Sequence, residues 1–155
     1  MIELSNKSGI ITVVDGSKSK IIFDTSSLKV SIDDLDVVHP WEFEKSGILL
    51  EVKEYNETLF YSFTIEGKHL LIITSDSFEL KEKILTFFWD VDILIIVGSK
   101  ESAKIFESIE ARLVVPYGDG KSTFLTALWQ HIEEVDSFKM KWEFSLDSTE
   151  FVNLK

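Results

Sequence analysis

The chain has no cysteine and little proline, histidine or arginine. Its 155 residues include two prolines, three histidines and a single arginine, Arg112. The lack of cysteine excludes disulfides and thiolate metal sites. No apolar run approaches the ~20 residues that a membrane-spanning helix needs, and the start, Met-Ile-Glu-Leu-Ser, lacks the basic and apolar regions of a signal peptide. We therefore expect a cytoplasmic protein without a membrane contact.

Positive charge is also scarce. The chain carries 16 basic and 27 acidic residues, which gives a formal net charge of −11. Such an acidic surface repels phosphate backbones, and no basic stripe offsets it, so nucleic acids and anionic membranes are poor candidates as partners. The hydrophobic content of 45 %, the mixed charges and the length favour one folded domain over residues 1–155.

The first half of the chain is rich in short apolar or alternating segments. They span residues 10–14, 21–23, 48–52, 58–65 and 69–74. Asp15-Gly16, between the first two segments, is a hairpin signal. In the fourth segment Leu59, Tyr61 and Phe63 alternate on one face. The spacing of the turns predicts a meander of about five β-strands.

The second half alternates between buried strands and helices. Apolar runs at 92–97 and 113–115 predict strands that are buried on both faces. Asp76 and Glu79 predict the start of a first helix, Ser99 predicts the cap of a second, and a third is predicted after Lys121. Segments 142–146 and 151–154 close the chain as strands. This order predicts an α/β fold of two packed sheets with helices outside.

The stretch VPYGDGKST, residues 115–123, resembles a phosphate-binding loop. The pattern for such a loop is Gly-x-x-x-x-Gly-Lys-Ser/Thr, and its second half matches Gly120, Lys121 and Ser122. Val115 stands where the pattern needs its first glycine, and Pro116 removes a backbone N–H from the region that would hold phosphate. The 32 residues after Thr123 also lack an apolar strand that ends in an acidic residue for Mg²⁺.

Two interpretations of this stretch remain. In the first, a turn from Gly118 to Gly120 leads into a helix that Ser122 or Asp119 caps, and Lys121 lies in solvent. In the second, the loop and the helix start bind a phosphate or nucleotide weakly. The residues of that second interpretation are Gly118, Gly120, Lys121, Ser122 and Thr123.

Several stretches resemble, in their order along the chain, the metallo-β-lactamase-fold superfamily, and most closely its short bacterial hydrolase-like branch. Among them are HPWEFE, LLIITSD, DVDILIIV and VVPYG. The similar segments are residues 10–14, 21–24, 39–44, 47–52, 70–76, 90–97, 114–118 and 139–154. The resemblance covers nearly the whole chain and implies a single domain with a two-sheet αββα-type sandwich in trimmed form.

The departures from the family concern its metal ligands. The family's signature, His-x-His-x-Asp-His, holds two metal ions, but the histidines of this chain are isolated at His39, His69 and His131. Gly118 stands where the family has a metal-binding histidine, and only Asp76 has a counterpart among the family's ligands. One carboxylate does not hold a catalytic zinc, which usually takes three protein ligands. The resemblance thus implies a degenerate member without metal, cofactor or the family's activation of water.

The remnant of the family's cleft is expected at five positions, none with a catalytic role. They are Asp24, His39, Asp76, Gly118 and Asp119. We interpret Asp76 mainly as a helix cap and Asp24 as an acceptor for a backbone N–H at a strand end. At least two of the four tryptophans are expected in the core. These tryptophans are Trp41, Trp89, Trp129 and Trp142.

Segment 25–38 is too short for the family's metal loop and the helix after it. We therefore expect one sheet face to be less covered than in the family and to bind a second copy or a protein partner. Three functions stay open. They are a non-catalytic binding or scaffold module, a metal-dependent hydrolase with an atypical or subunit-shared site, and a weak nucleotide or phosphate binder.

Overall fold

Two β-sheets lie face to face, and short helices cover the outer side of one of them. The structure, a computed structural model, describes residues 1–37, 40–140 and 148–155. In these ranges nine strands come first, strands then alternate with helices, and four short strands follow. Where the sequence predicted a meander of about five strands, the structure has nine, and they are divided between the two sheets.

The first sheet has six strands in the order β13-β1-β2-β3-β4-β5, and all neighbours are antiparallel. Alternation decides which side chains face inward, so that Ile11 and Val13 point to the core while Thr12 between them does not. The strands are β1 (Glu3–Lys7), β2 (Ile10–Val14), β3 (Lys20–Asp24), β4 (Val30–Ile32), β5 (Leu35–Val37) and β13 (Ser137–Lys139).

The second sheet has seven strands in the order β14-β11-β10-β9-β8-β7-β6. Strands β6 to β9 are antiparallel, whereas β9, β10, β11 and β14 run parallel. The strands are β6 (Glu42–Lys45), β7 (Ile48–Tyr55), β8 (Thr58–Ile65), β9 (Lys68–Ile73), β10 (Val91–Val97), β11 (Ala111–Tyr117) and β14 (Glu150–Phe151). Strands β12 (Glu134–Val135) and β15 (Asn153–Leu154) form a separate parallel pair.

The larger apolar core lies between the two sheets. It combines the inner faces of the first sheet, including Ile21 and Phe23, with inward residues of the second, including Phe63 and Ile95. Each such fully buried side chain stabilises the fold by about 1.5–3 kcal/mol relative to exposure. The predicted alternation of 58–65 is correct, because Tyr61, Phe63 and Ile65 all belong to this core.

Three helices, counted over the described residues, pack on the other face of the second sheet. They are α1 (Glu82–Leu85), α2 (Lys100–Phe106) and α3 (Lys121–Ala127). Their buried side chains join a second core in which Phe60, Phe78 and Phe88 meet edge to face, with ring centroids 4.9–6.1 Å apart. None of these helices is long and apolar enough to cross a membrane.

The outer face of the first sheet has no helix on it in the described part of the chain, because all three helices belong to the second core. The arrangement there is one helical layer on two sheets, rather than the helices on both sides that an αββα sandwich has. The register places Thr12, Ile22 and Ser31 side by side on this open face. Ile10, at its edge, is 40 % exposed.

Helix starts were predicted with mixed success. Ser99 caps α2 as expected, in a reciprocal pair of hydrogen bonds with Ser102. The box predicted from Asp76 and Glu79 is wrong, because α1 begins later, after Lys81, and has no side-chain cap. The predicted caps of α3 are also wrong, because Gly120 occupies the N-cap position and no side chain there accepts a hydrogen bond from the first turn.

The tryptophans lie outside the core wherever the structure describes them. Trp41 is 66 % exposed, Trp89 78 % and Trp129 86 %, so the prediction that at least two are buried is wrong, and Trp142 lies outside the described residues. The helical spacing that suggested burial of Trp129 fails because α3 ends at Ala127. Trp129 then adopts a left-handed backbone, with φ of 58°, which turns it away from the helix stripe.

Candidate functional site

The carboxyl ends of β9, β10 and β11 meet at one edge of the second sheet, which we call the strand-end edge. The chain leaves this edge through Asp76 after β9, Gly98 after β10 and Gly118 after β11. Strand β3 ends beside it, because the Phe23 ring contacts the Tyr117 ring edge to face at 5.1 Å. Asp24, Asp76 and Gly118, which are far apart in sequence, are therefore brought to one region.

The Asp24 carboxylate holds the turn that follows β3. Its Oδ1 accepts hydrogen bonds from the Ser26 hydroxyl at 2.7 Å, the Ser26 N–H at 2.9 Å and the Ser27 N–H at 3.3 Å. These bonds, with the Ser26 hydroxyl as the largest contributor, lower the pKa of Asp24. The predicted acceptor role for backbone N–H groups is confirmed.

Asp76 lies in the irregular segment between β9 and α1. Its side chain is half-buried and makes no hydrogen bond or ion pair with the residues that the structure describes. The local turn is held by its neighbours instead, since the Ser75 hydroxyl accepts a hydrogen bond from the Ser77 N–H at 3.2 Å. Asp76 is thus a carboxylate without a structural task at the strand-end edge.

The loop after β11 is shaped by a close approach of two backbones. A Cβ built on Gly120 would lie 2.0 Å from the carbonyl oxygen of Gly98, and a Cβ on Gly98 would lie 2.6 Å from the Lys121 backbone. Only glycine permits this contact between the turns after β10 and β11. Gly118 has a φ of +90°, which also favours glycine. The predicted turn from Gly118 to Gly120 is confirmed.

Lys121 is not the solvated residue that the turn interpretation predicts. It is half-buried, and its Nζ donates a hydrogen bond of 2.7 Å to the backbone carbonyl of Leu154 in β15. The contact ties the start of α3 to the end of the chain. Ser122 and Thr123 are exposed on the first turn of the helix, and phosphate binding by Gly118–Thr123 stays a prediction.

Tyr117 was missed by sequence reasoning. It is 4 % exposed, and its buried hydroxyl has no hydrogen-bond partner among the described residues. Desolvation raises the pKa of Tyr117 well above the usual range. The signal in the sequence was its position as the last residue of a buried strand, directly before a glycine turn. The hydroxyl is therefore a neutral, buried polar group at the end of β11, next to the strand-end edge.

The described residues at this edge do not fit a catalytic zinc. Asp76 and Asp119 offer carboxylates, the Asp24 carboxylate is engaged in its turn, and no group of three or more histidine, aspartate or glutamate side chains in the described ranges is placed to hold a metal ion. His69 is the second residue of β9, and at a strand's rise it lies about 13 Å from the end of the strand at Ile73, beyond which Asp76 follows. His39 lies outside the described residues.

The opposite edge of the second sheet carries an ionic cluster that sequence reasoning did not identify. The Asp92 carboxylate accepts hydrogen bonds from the Arg112 guanidinium and, at 2.9 Å, from the His69 backbone N–H. Asp90 adds a weaker pair with Arg112 at 3.5 Å. The sequence did contain an indication of this cluster, because the single arginine of the chain lies on a buried strand, where it needs an anionic partner. A cleft of about 750 Å³ beside Trp89 opens at this edge.

Comparisons with known proteins identify the fold. No family model and no curated protein matches the chain. A solved structure from Thermotoga maritima, described as a candidate Zn-dependent hydrolase of the metallo-β-lactamase superfamily, is similar over 99 % of each chain, with a TM-score of 0.74 and 14 % identity. The predicted resemblance is thereby confirmed at the level of the fold, which is mostly β with few helices. A fold alone does not imply an activity.

Proposed function

We propose that this chain is a non-catalytic protein on a metallo-β-lactamase fold and acts as a binding or scaffold module. The observation that carries the proposal is the composition of the strand-end edge. Within the described residues it presents a glycine turn from Gly118 to Gly120 and two carboxylates without a partner, those of Asp76 and Asp119, where a catalytic zinc would need three convergent ligands.

The contacts around this edge support a structural use of its residues. Gly98 and Gly120 bring two turns into van der Waals contact, Lys121 holds the end of the chain, and Asp24 holds a turn. Each of these groups has a folded-state partner that a substrate would have to displace. A hydrolase of this fold would instead need unengaged side chains that could hold a metal ion, which would supply the activation of water.

The test is elemental analysis by plasma mass spectrometry on untagged protein that was purified without chelators. We expect much less than one zinc, manganese or iron per chain. One or two metal ions per chain would overturn the proposal and favour the hydrolase alternative, including one completed by a second subunit. In that case Asp76→Ala and His39→Ala, compared with His131→Ala as a control, would show which side chains hold the metal.

A further inference from the structure

Part of the helix-side face of the second sheet is left open by the helices. The register forms two rows across strands β6 to β9. On these strands the second core, to which the helices belong, includes only Phe60, Leu71 and Ile73 among its buried residues. The first row is Glu44, Leu49, Thr64 and His69, and the second begins with Glu42, Glu51 and Ser62. We call these seven residues the acidic sheet face. All of them except Glu44 line a groove of about 280 Å³.

The charges of this face have no partner within the described part of the chain. Glu42, Glu44 and Glu51 are exposed, and none of them makes an ion pair there. Glu42 stands directly opposite Glu51, an arrangement of like charges that destabilises a strand pair. Lys53 follows Glu51 on the same sheet face, but its Nζ lies over the Phe87 ring, 5.8 Å from the centroid, and makes no ion pair with these glutamates.

The centre of the face is apolar. Leu49 is 50 % exposed between Glu44 and Thr64. An exposed leucine within a group of carboxylates suits a ligand that combines an apolar contact with positive charge, because the apolar contact gives affinity and the charges give orientation. A bare metal ion would use the carboxylates and leave Leu49 exposed.

We propose that the acidic sheet face binds a basic segment of another protein, with Lys or Arg side chains flanking one apolar side chain that packs on Leu49. A second copy of this chain is a poor occupant, because it brings a net charge of −11 and the same three glutamates. The inference is independent of the strand-end edge, so metal analysis and partner binding can fail separately.

The test uses a fluorescein-labelled synthetic peptide in which Lys alternates with Leu or Val, and measures its binding to the full chain by fluorescence polarisation. We expect Glu42→Gln/Glu51→Gln to weaken binding about tenfold, and Leu49→Ser to weaken it at unchanged charge. The control Glu54→Gln/Glu133→Gln removes the same charge elsewhere. Glu54 is a close control for Glu51, because both lie on β7 but Glu54 is on the opposite sheet face.

Equal losses in the test and control variants would show attraction by net charge alone and would overturn the proposal. The proposal would also be overturned if the wild-type protein did not bind the peptide. It would be overturned as well if millimolar Ca²⁺ displaced the peptide and Leu49→Ser left the peptide affinity unchanged. Thermal unfolding supplies a second readout that does not depend on the peptide. Glu42→Gln is expected to raise the Tm of the free protein, because it removes the like-charge pair with Glu51.

Discussion

Gly118 and Gly120 lie two residues apart but are required for different reasons. A Cβ at 118 would meet no atom within 4 Å, so its substitution strains only the left-handed backbone. A Cβ at 120 would collide with a backbone carbonyl that cannot turn aside. The two positions therefore separate conformational strain from steric overlap within one loop.

We predict that Gly120→Ala destabilises the protein by about 3 kcal/mol, and Gly118→Ala by only about 1 kcal/mol. Urea unfolding of both variants checks the difference. Equal losses would mean that the contact between Gly98 and Gly120 relaxes without cost, and the packing role of Gly120 would then be wrong.

The lowered pKa of Asp24 gives a prediction at acid pH. A carboxyl whose pKa is lower in the folded state stabilises the fold above its unfolded pKa, about 4, and this contribution is lost as the pH falls through the folded pKa. Ser26→Ala removes the largest contributor, so the pKa of Asp24 should rise toward its ordinary value. A ¹³C NMR titration of the Asp24 carboxyl measures it. Ser27→Ala, which removes the smallest contributor, should shift the pKa less.

Substitutions of Asp92 and of Asp90 can be compared to test the ionic cluster between β9, β10 and β11. The Asp92 side chain is 11 % exposed and that of Asp90 66 %. Asp92→Ala leaves the Arg112 guanidinium and the His69 N–H without their acceptor, so we expect a loss of about 2–3 kcal/mol.

Asp90→Ala removes an exposed pair, which is worth at most about 1 kcal/mol. Thermal or denaturant unfolding of the two variants checks the contrast. If Asp90→Ala were the more damaging change, the cluster would depend on the exposed pair, and our account of Asp92 would be contradicted.

Strands were more predictable than helices, for physical reasons. The apolar runs at 10–14 and 58–65 fixed both the strands and their inward faces, because a two-residue period leaves little choice once one face is buried. Among the first nine strands, β1, β4, β5 and β6 were missed. Strands β4 to β6 have only three or four residues, which give too little pattern to recognise, and β1 has a single apolar residue, Leu4. The helices are one or two turns long, so tertiary contacts rather than capping propensities decide where they begin.

The candidate site was predictable only in part. The sequence predicted the turn from Gly118 to Gly120 and the acceptor role of Asp24, because these depend on local residue types. It did not reveal that Gly120 touches Gly98, that Lys121 reaches Leu154, or that Asp92 pairs with Arg112. Those contacts join segments that are distant along the chain, and a single sequence carries no record of them.

For the whole molecule, the open face of the first sheet leads to a prediction about assembly. Ile10, Val14 and Ile22 lie on that face with no helix over them in the described part of the chain, and exposed apolar area of this kind marks interaction surfaces. We predict a homo-oligomer or a stable complex with a protein partner. Light scattering on purified protein checks for the homo-oligomer. Crosslinking in cells checks for the complex with a protein partner. A monomer that crosslinks to nothing would contradict the prediction.

Strand β13 pairs with β1, and the register joins Glu3 to Lys139. During synthesis residues 3–7 leave the ribosome long before their neighbour on that side, because 129 residues, 8–136, lie between the two strands. Contacts between such distant segments form slowly, and an unpaired strand edge can recruit strands from other chains. The first sheet is therefore expected to be at risk of aggregation at its β1 edge while these 129 residues are made.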